Sequence, residues 1–294
     1  SLNENLKMVS TEKSEFFERE VEKLLKIRLR SGKEIKLTPE HPLLTIKGWK
    51  EAESLNLGSR IATPRTMPSF GNIELEDYKI KLLAYLITEG HTKKIALFAN
   101  MDEDIVADFR EALKILDNKA ELRKEKDGHY RITVPDWKNK VISFKFEKDE
   151  NNRFKKGSKI ELEKRKIRQF IEKYGLFNKL SIEKEIPIEI MKLPKEKLKL
   201  FMNRIFSCDG SIYPLYKLNT RQINGWEVCY SSSSRKLINI VQNLLLRYKV
   251  LSKLRHKFIK RDGKIFKNFE LVINGENVVK FIENIGFFGK KKLR

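Results

Sequence analysis

Apolar positions change their period along this chain, and the changes divide it. Residues 24–37 (LLKIRLRSGKEIKL) alternate apolar and polar on either side of Ser31-Gly32, the pattern of two strands joined by a tight turn. Trp49, Leu55, Leu57 and Ile61 mark further short extended pieces, and Pro64 and Pro68 then punctuate the chain, which places a boundary near residue 70. From residue 74 the period lengthens to that of a helix. Ile80, Leu83, Ala84 and Ile87 share one face, Leu82 and Leu86 widen it, and the stretch stops at Glu89-Gly90. A strand at 95–99, a helix over 104–116, a hairpin over 119–134 turning at Asp127-Gly128, and a closing helix over 161–174 follow. That helix runs into FIEKYGLFNKL at 170–180.

Residues 196–294 repeat this order. A helix with Leu198, Phe201, Met202 and Ile205 on one face ends at Asp209-Gly210. A strand near 226–231, a helix at 235–248, a hairpin over 251–273 turning at Asp262-Gly263, and a helix from about Glu276 come next, ending in FIENIGFFGKK at 281–291. The two closing texts agree at six of eleven positions, including Gly175 with Gly286 and Lys179 with Lys290. The helix ends Glu89-Gly90 and Asp209-Gly210 lie 120 residues apart and the closing texts 111 apart. Agreement in string, order and spacing together predicts a duplicated αββαββα unit. The expected fold class is α+β: two pseudo-twofold-related repeats at 71–180 and 181–294, preceded by a small β-rich segment at 1–70.

Composition adds a partner. The chain has 62 Lys and Arg against 40 Asp and Glu, a net charge of +22. Residues 1–70 hold 13 basic and 10 acidic side chains, residues 71–180 hold 25 and 20, and residues 181–294 hold 24 and 10. The last block alone carries +14, because acids are missing there. An excess of this size points to a polyanion, and nucleic acid is the commonest. Mixed Lys/Glu richness elsewhere points to a thermophile. No apolar run approaches the ~18 residues that a membrane span needs, and the first 30 residues carry charge throughout, so a cytoplasmic, membrane-free protein is expected. Cys208 and Cys229 are too few for a disulfide framework or a cysteine-rich zinc site. Four scattered histidines do not make an HNH-type site, and no acid-x-Lys follows Pro135-Asp136 within 30 residues.

An acid before a helix-ending glycine is ordinarily a solvated residue. Here it occurs at equivalent places in both halves, at the negative end of each helix dipole, where a carboxylate is unfavourable unless a cation is near. If the two apolar helices pack on each other, Glu89 and Asp209 emerge side by side, a pair suited to a hard divalent ion. LLAYLITEG (82–90) and MNRIFSCDG (202–210) resemble the two signature helices of single-chain LAGLIDADG homing endonucleases. That resemblance covers residues 74–292. It implies an Mg²⁺-dependent, monomeric endonuclease that cuts both strands of double-stranded DNA, with Mn²⁺ able to substitute and no small-molecule cofactor. Glu89 and Asp209 would hold the metal, and Lys179 and Lys290 would support developing charge, with Lys291 as a neighbour of the latter. The chain departs from the family in one position, Arg204, where a small residue normally lets the helices approach. An arginine there must snorkel or pair.

The front segment carries a second resemblance. TPEHPLLT (38–45) with GWKEAESLNLGSRIATPR (48–65) is similar to the N-terminal splicing block of an intein, in which the Thr and His of a T-x-x-H motif, here Thr38 and His41, assist the first acyl shift. This implies an archaeal intein whose endonuclease region carries a partial Hint (splicing) domain. A nucleophile-bearing opening block and a terminal His-Asn are not found, so splicing by this chain alone is not expected.

The DNA-reading surface implied by the family is a saddle of antiparallel sheets. In SKLRHKFIK (252–260), Lys253, Arg255 and Lys257 alternate with Leu254, His256 and Phe258, giving one basic face and one face against the helices. Arg123 and Arg131 occupy comparable strands of the first repeat, diluted by Glu121 and Glu125, and the basic loop 153–159 is a further candidate. Two other readings fit the scaffold: a nucleic-acid-binding or RNA-splicing cofactor without cleavage, and a splicing fragment that needs complementation.

Overall fold

A computed structural model describes the chain except for residues 1–2, 4–6, 10–17, 19, 68, 94–95, 136–140, 146–149, 152, 154–158, 163, 219–220, 262 and 294. Most of the basic loop 153–159 and Asp262 of the last predicted turn therefore lie outside the described residues. The N-terminal segment forms two separate hairpins, β1 (Leu25–Arg28) with β2 (Glu34–Leu37) and β3 (Pro42–Thr45) with β4 (Gly48–Glu51). Thr38 and His41 sit in the turn after β2, where the His41 N–H donates to the Thr38 carbonyl at 3.1 Å.

The first repeat runs α1 (Asp77–Thr88), β5 (Gly90–His91), β6 (Leu97–Ala99), α2 (Glu103–Leu116), β7 (Glu121–Lys126), β8 (His129–Thr133), β9 (Val141–Lys145), β10 (Lys159–Leu162) and α3 (Lys166–Lys173). A single turn, α4 (Ile188–Met191), leads into the second: α5 (Lys195–Asp209), β11 (Gly210–Tyr216), β12 (Ile223–Ser232), α6 (Arg235–Arg247), β13 (Lys253–Arg261), β14 (Lys264–Asn274) and α7 (Glu276–Asn284). The sheets are antiparallel, with strand order β5-β6-β8-β7 in the first and β11-β12-β14-β13 in the second. The same crossing, in which the fourth strand inserts beside the second, therefore occurs in both halves. The closing glycines agree in detail. Gly175 and Gly286 have φ of +67° and +65°, and each follows a helix whose last carbonyls are capped from beyond it, Ile171 by the Leu176 N–H and Phe281 by the Gly286 N–H, both at 2.9 Å.

Burial follows from the apolar pattern. Ile80 and Leu82 through Ile87 of α1, and Leu198, Phe201, Met202, Ile205, Phe206 and Ser207 of α5, are all buried. Helices buried this far around their circumference belong in a protein centre, and α1 and α5 pack on each other there. The Lys197 ammonium meets the Asp77 carboxylate at 2.5 Å near their N-terminal ends, again a pair 120 residues apart.

Two expectations are corrected and one strand is added. The closing helix of the first repeat begins at Lys166, because residues 159–162 pair instead with 141–145 as β10 and β9, whose ISFK and KIEL texts alternate with period two. Strand β11 escaped notice because Pro214 interrupts it. It lies at the sheet edge, where a missing N–H is tolerated. Phe258 does not pack against the helices and is 66% exposed. Strand β13 has nine residues, about 30 Å, against about 20 Å for the 13 residues of α6, so its far half outruns the helix layer.

The N-terminal hairpin is fastened to the second repeat through its turn. The Ser31 carbonyl accepts from the Leu254 N–H at 2.9 Å and the Gln242 side chain at 3.2 Å, and the Gly32 carbonyl accepts from Arg235 at 2.9 Å. Gly32 has φ of +82°, and a Cβ there would lie 2.5 Å from that of Leu254, so both backbone angle and space require glycine.

Candidate active site at the ends of the paired helices

Because α1 and α5 are equivalent and packed together, their C-terminal ends bring the two acids into one region. Glu89 caps α1 in a near-helical conformation (φ −100°, ψ −6°), and Asp209 is the last residue of α5. Both are half-buried. Asn100, just beyond β6, donates to the Glu89 Oε1 at 2.9 Å. Beside Glu89 opens a cleft of about 500 Å³ lined by Asn100, Asp102, His129, Cys208, Lys290 and Lys291 among others.

Two ammonium groups meet the helix ends, and they do so equivalently. Lys184 Nζ donates to the carbonyls of Leu86 (2.8 Å), Ile87 (3.0 Å) and Gly90 (2.5 Å) at the end of α1. Lys291 Nζ donates to those of Cys208 (2.7 Å) and Gly210 (2.6 Å) at the end of α5. A cation at a helix C-terminus complements both the unpaired carbonyls and the dipole. The backbone at or next to each lysine is tied to the capping side chain of a nearby helix. The Ser234 hydroxyl, which caps α6, donates to the Lys184 carbonyl at 2.8 Å, and Asp102, which caps α2, accepts from the Lys290 N–H at 2.8 Å.

The expected lysines are placed differently. Lys179 is exposed in the loop after α3, and the Lys290 side chain is exposed at the cleft. Lys184 and Lys291 lie nine and five residues after their closing glycines. That difference of four falls in a loop, where matching text gives no register, so Lys184 left no signal in the repeat alignment.

Electrostatics set this region apart. Burial, with the neighbouring Glu89 charge, pushes the Asp209 carboxyl up to about 7, against the opposing pull of Lys184 and Lys291. Burial likewise raises Glu89 and lowers Lys184 to about 8. The Tyr230 hydroxyl is buried within electrostatic range of both acids and has no hydrogen-bond partner among the described residues. Two carboxylates that resist ionising together are relieved by a bound cation. Among the described residues no third His, Cys, Asp or Glu completes a metal cluster. A pair of hard oxygen donors with room for water and phosphate oxygens fits Mg²⁺, which keeps much of its hydration and needs no all-protein cage.

Arg204 pairs, as its position requires. Its Nε donates to the Asp108 Oδ2 of α2 at 2.8 Å, and its guanidinium lies 3.8 Å over the Phe288 ring. Asp108 also accepts from the Tyr85 hydroxyl at 2.6 Å and from Lys81 at 2.7 Å. Burial would raise this carboxyl, but its three donors hold it below the usual range. The close packing expected of a small residue is thus replaced by a buried ion pair between the halves.

Lys253, Arg255 and Lys257 share a face of β13, as expected, and all three are exposed. Arg123 and Arg131 lie opposite each other on β7 and β8, with Arg131 bound to Glu125.

Residues 196–286 match the family described as a LAGLIDADG-like domain. Among curated relatives, a replication factor C small subunit of Methanocaldococcus jannaschii is 28% identical over 280 residues, covering 92% of this chain and 13% of the relative. A replicative DNA helicase DnaB of Synechocystis is 27% identical over 267 residues, covering 90% of this chain and 28% of the relative. The chain thus spans a minor part of these relatives' length. Among solved structures, the homing endonuclease I-DmoI, in complex with its target DNA and in the presence of Mn, aligns at 12% identity with a TM-score of 0.42, over 71% of this chain and 93% of that one. No helix among the described residues is long and apolar enough to cross a membrane.

Proposed function

We propose that this chain is a site-specific homing endonuclease of the LAGLIDADG type, carried in an intein, that hydrolyses both strands of a long, pseudosymmetric DNA duplex. One observation carries the reading: two acids at the ends of two packed, equivalent helices, each helix end closed by a lysine ammonium. Mg²⁺ held by Glu89 and Asp209 would supply charge neutralisation at the scissile phosphates and a lowered pKa for water. Asn100 fixes the orientation of the Glu89 carboxylate. The three hydrogen bonds of Lys184 use all three of its N–H donors, so it acts as a fixed positive charge and not as a proton donor. The +14 of the second repeat supplies the non-specific grip on the duplex.

The intein assignment draws on the T-x-x-H text and on the relatives. One stretch of about this length recurs within a replication factor C small subunit and within a replicative DNA helicase, at 13% and 28% of their lengths. A segment shared by proteins with different jobs behaves as an inserted element, and residues 1–70 then read as part of its splicing domain. A plasmid carrying the uninterrupted insertion locus tests the proposal. Linear product should form with Mg²⁺ and disappear with EDTA or with Glu89→Gln plus Asp209→Asn. Cleavage that survives the double substitution overturns the assignment of the acids.

A further inference from the structure

The sheet face of the second repeat that points away from the helices carries two carboxylates the strand text of β13 does not reveal. Register places Ser231, Glu270 and Arg255 side by side across β12, β14 and β13, and Tyr213 beside Glu227 across β11 and β12. The Glu227 and Glu270 side chains are only 10% and 5% exposed, on a face where Arg255 and Lys257 are about half exposed. Arg255 Nε donates to the Glu270 Oε2 at 2.5 Å, and its Nη2 meets the Tyr213 hydroxyl at 3.1 Å and the Glu227 Oε1 at 3.2 Å. Glu270 accepts in addition from the Ser231 hydroxyl at 3.0 Å, with Lys257 at 3.4 Å, and Glu227 accepts from Tyr213. Burial would raise the Glu270 carboxyl, but its bonds from Arg255 and Ser231 hold it below its usual range, so it stays charged.

Two consequences follow. The guanidinium plane is fixed along its inner edge, while Nη1 has no partner among the described residues and is left for a ligand. The local charge also cancels, two carboxylates against Arg255 and Lys257. A neutral cluster with buried carboxylates is a poor attractor for phosphate, whereas a rigid, directional donor suits a neutral acceptor edge. Lys253, two residues earlier on the same face, is exposed and makes no ion pair among the described residues. We propose that Arg255 is a specificity-determining residue that reads the O6/N7 edge of a guanine in the major groove. Glu270 and Glu227 are its positioning residues, and Lys253 grips phosphate. This rests on the DNA-binding reading above.

Selection from a pool of duplexes with a randomised core separates the two. Wild-type protein should enrich one sequence containing a guanine that Arg255→Lys no longer selects, with preference at that base pair falling about 5- to 150-fold and other positions retained. Glu270→Gln should lose the same position while overall affinity for the unselected pool is kept, a result that a purely structural ion pair would not produce. Thermal melts of each variant confirm the fold. Lys253→Ala should leave the selected sequence intact and lower the salt dependence of binding by about one. An unchanged consensus in both Arg255→Lys and Glu270→Gln overturns this assignment alone. If the wild-type protein enriches nothing, the DNA-binding reading falls with it.

Discussion

Asp209→Asn tests the site without a cleavage assay. The Asp209 carboxyl moves from 3.8 to about 7 on folding, first through burial and then through the Glu89 charge. At about 1.4 kcal/mol for each tenfold change in proton affinity, holding it ionised in the folded protein costs about 4 kcal/mol. The sign follows from proton counting. Between about pH 4 and pH 7 the folded chain binds more protons at this group than the unfolded chain does, so stability falls as pH rises through that window. Below it both states are protonated and the penalty vanishes; above it the penalty is complete. Asparagine removes the charge at nearly constant shape and also relieves Glu89. In a chelating buffer at pH 8 the variant should therefore be more stable than wild type by up to about 4 kcal/mol, and at pH 4 the two should unfold together. Millimolar Mg²⁺ should close most of that gap at pH 8, since a ligand present at 100 times its Kd adds about 2.7 kcal/mol to a protein that binds it. Urea denaturation of both proteins at both pH values, with and without Mg²⁺, measures the stabilities. A variant less stable than wild type at pH 8 without metal, or a gain of equal size at pH 4, refutes the picture of two strained carboxylates awaiting a cation.

Other outcomes follow from the same packing. Asp108→Ala strands Arg204 and Lys81 at a buried position and should cost about 3–5 kcal/mol, a fall in melting temperature on the order of 10 °C. Arg204→Met combined with Asp108→Leu should recover only the Arg204 part of that loss, because Lys81 and the Tyr85 hydroxyl still lose their acceptor. Lys184→Met should bind Mg²⁺ more tightly in titration calorimetry, having lost a neighbouring positive charge, while cutting DNA more slowly; weaker metal binding would remove Lys184 from the site. Gly32→Ala forces a left-handed backbone on a residue with a Cβ 2.5 Å from Leu254 and should release the N-terminal hairpin, read as faster proteolysis between residues 24 and 37 with the second repeat intact.

The sequence by itself determined what is local or periodic. The apolar stripes of α1 and α5 have a 3.6-residue period that any reader can count, and their burial follows because no single amphipathic face could hold so many apolar residues. The repeat was legible as text, and Glu89 and Asp209 with it, because equivalent helices end at equivalent glycines. Tertiary structure decided everything that depends on side chains arriving from elsewhere in the chain. Lys184 reaches α1 across about 95 residues, and its loop differs in length from that of Lys291, so no string alignment pairs them. Arg204 reads as a misfit until α2 delivers Asp108. On β13 the alternation of bases was visible, but its meaning was not: Glu227 and Glu270 lie on other strands, and only sheet register sets them against Arg255. Periodicity fixes which way a residue faces along its own element, whereas the charge it meets is fixed by the elements packed beside it.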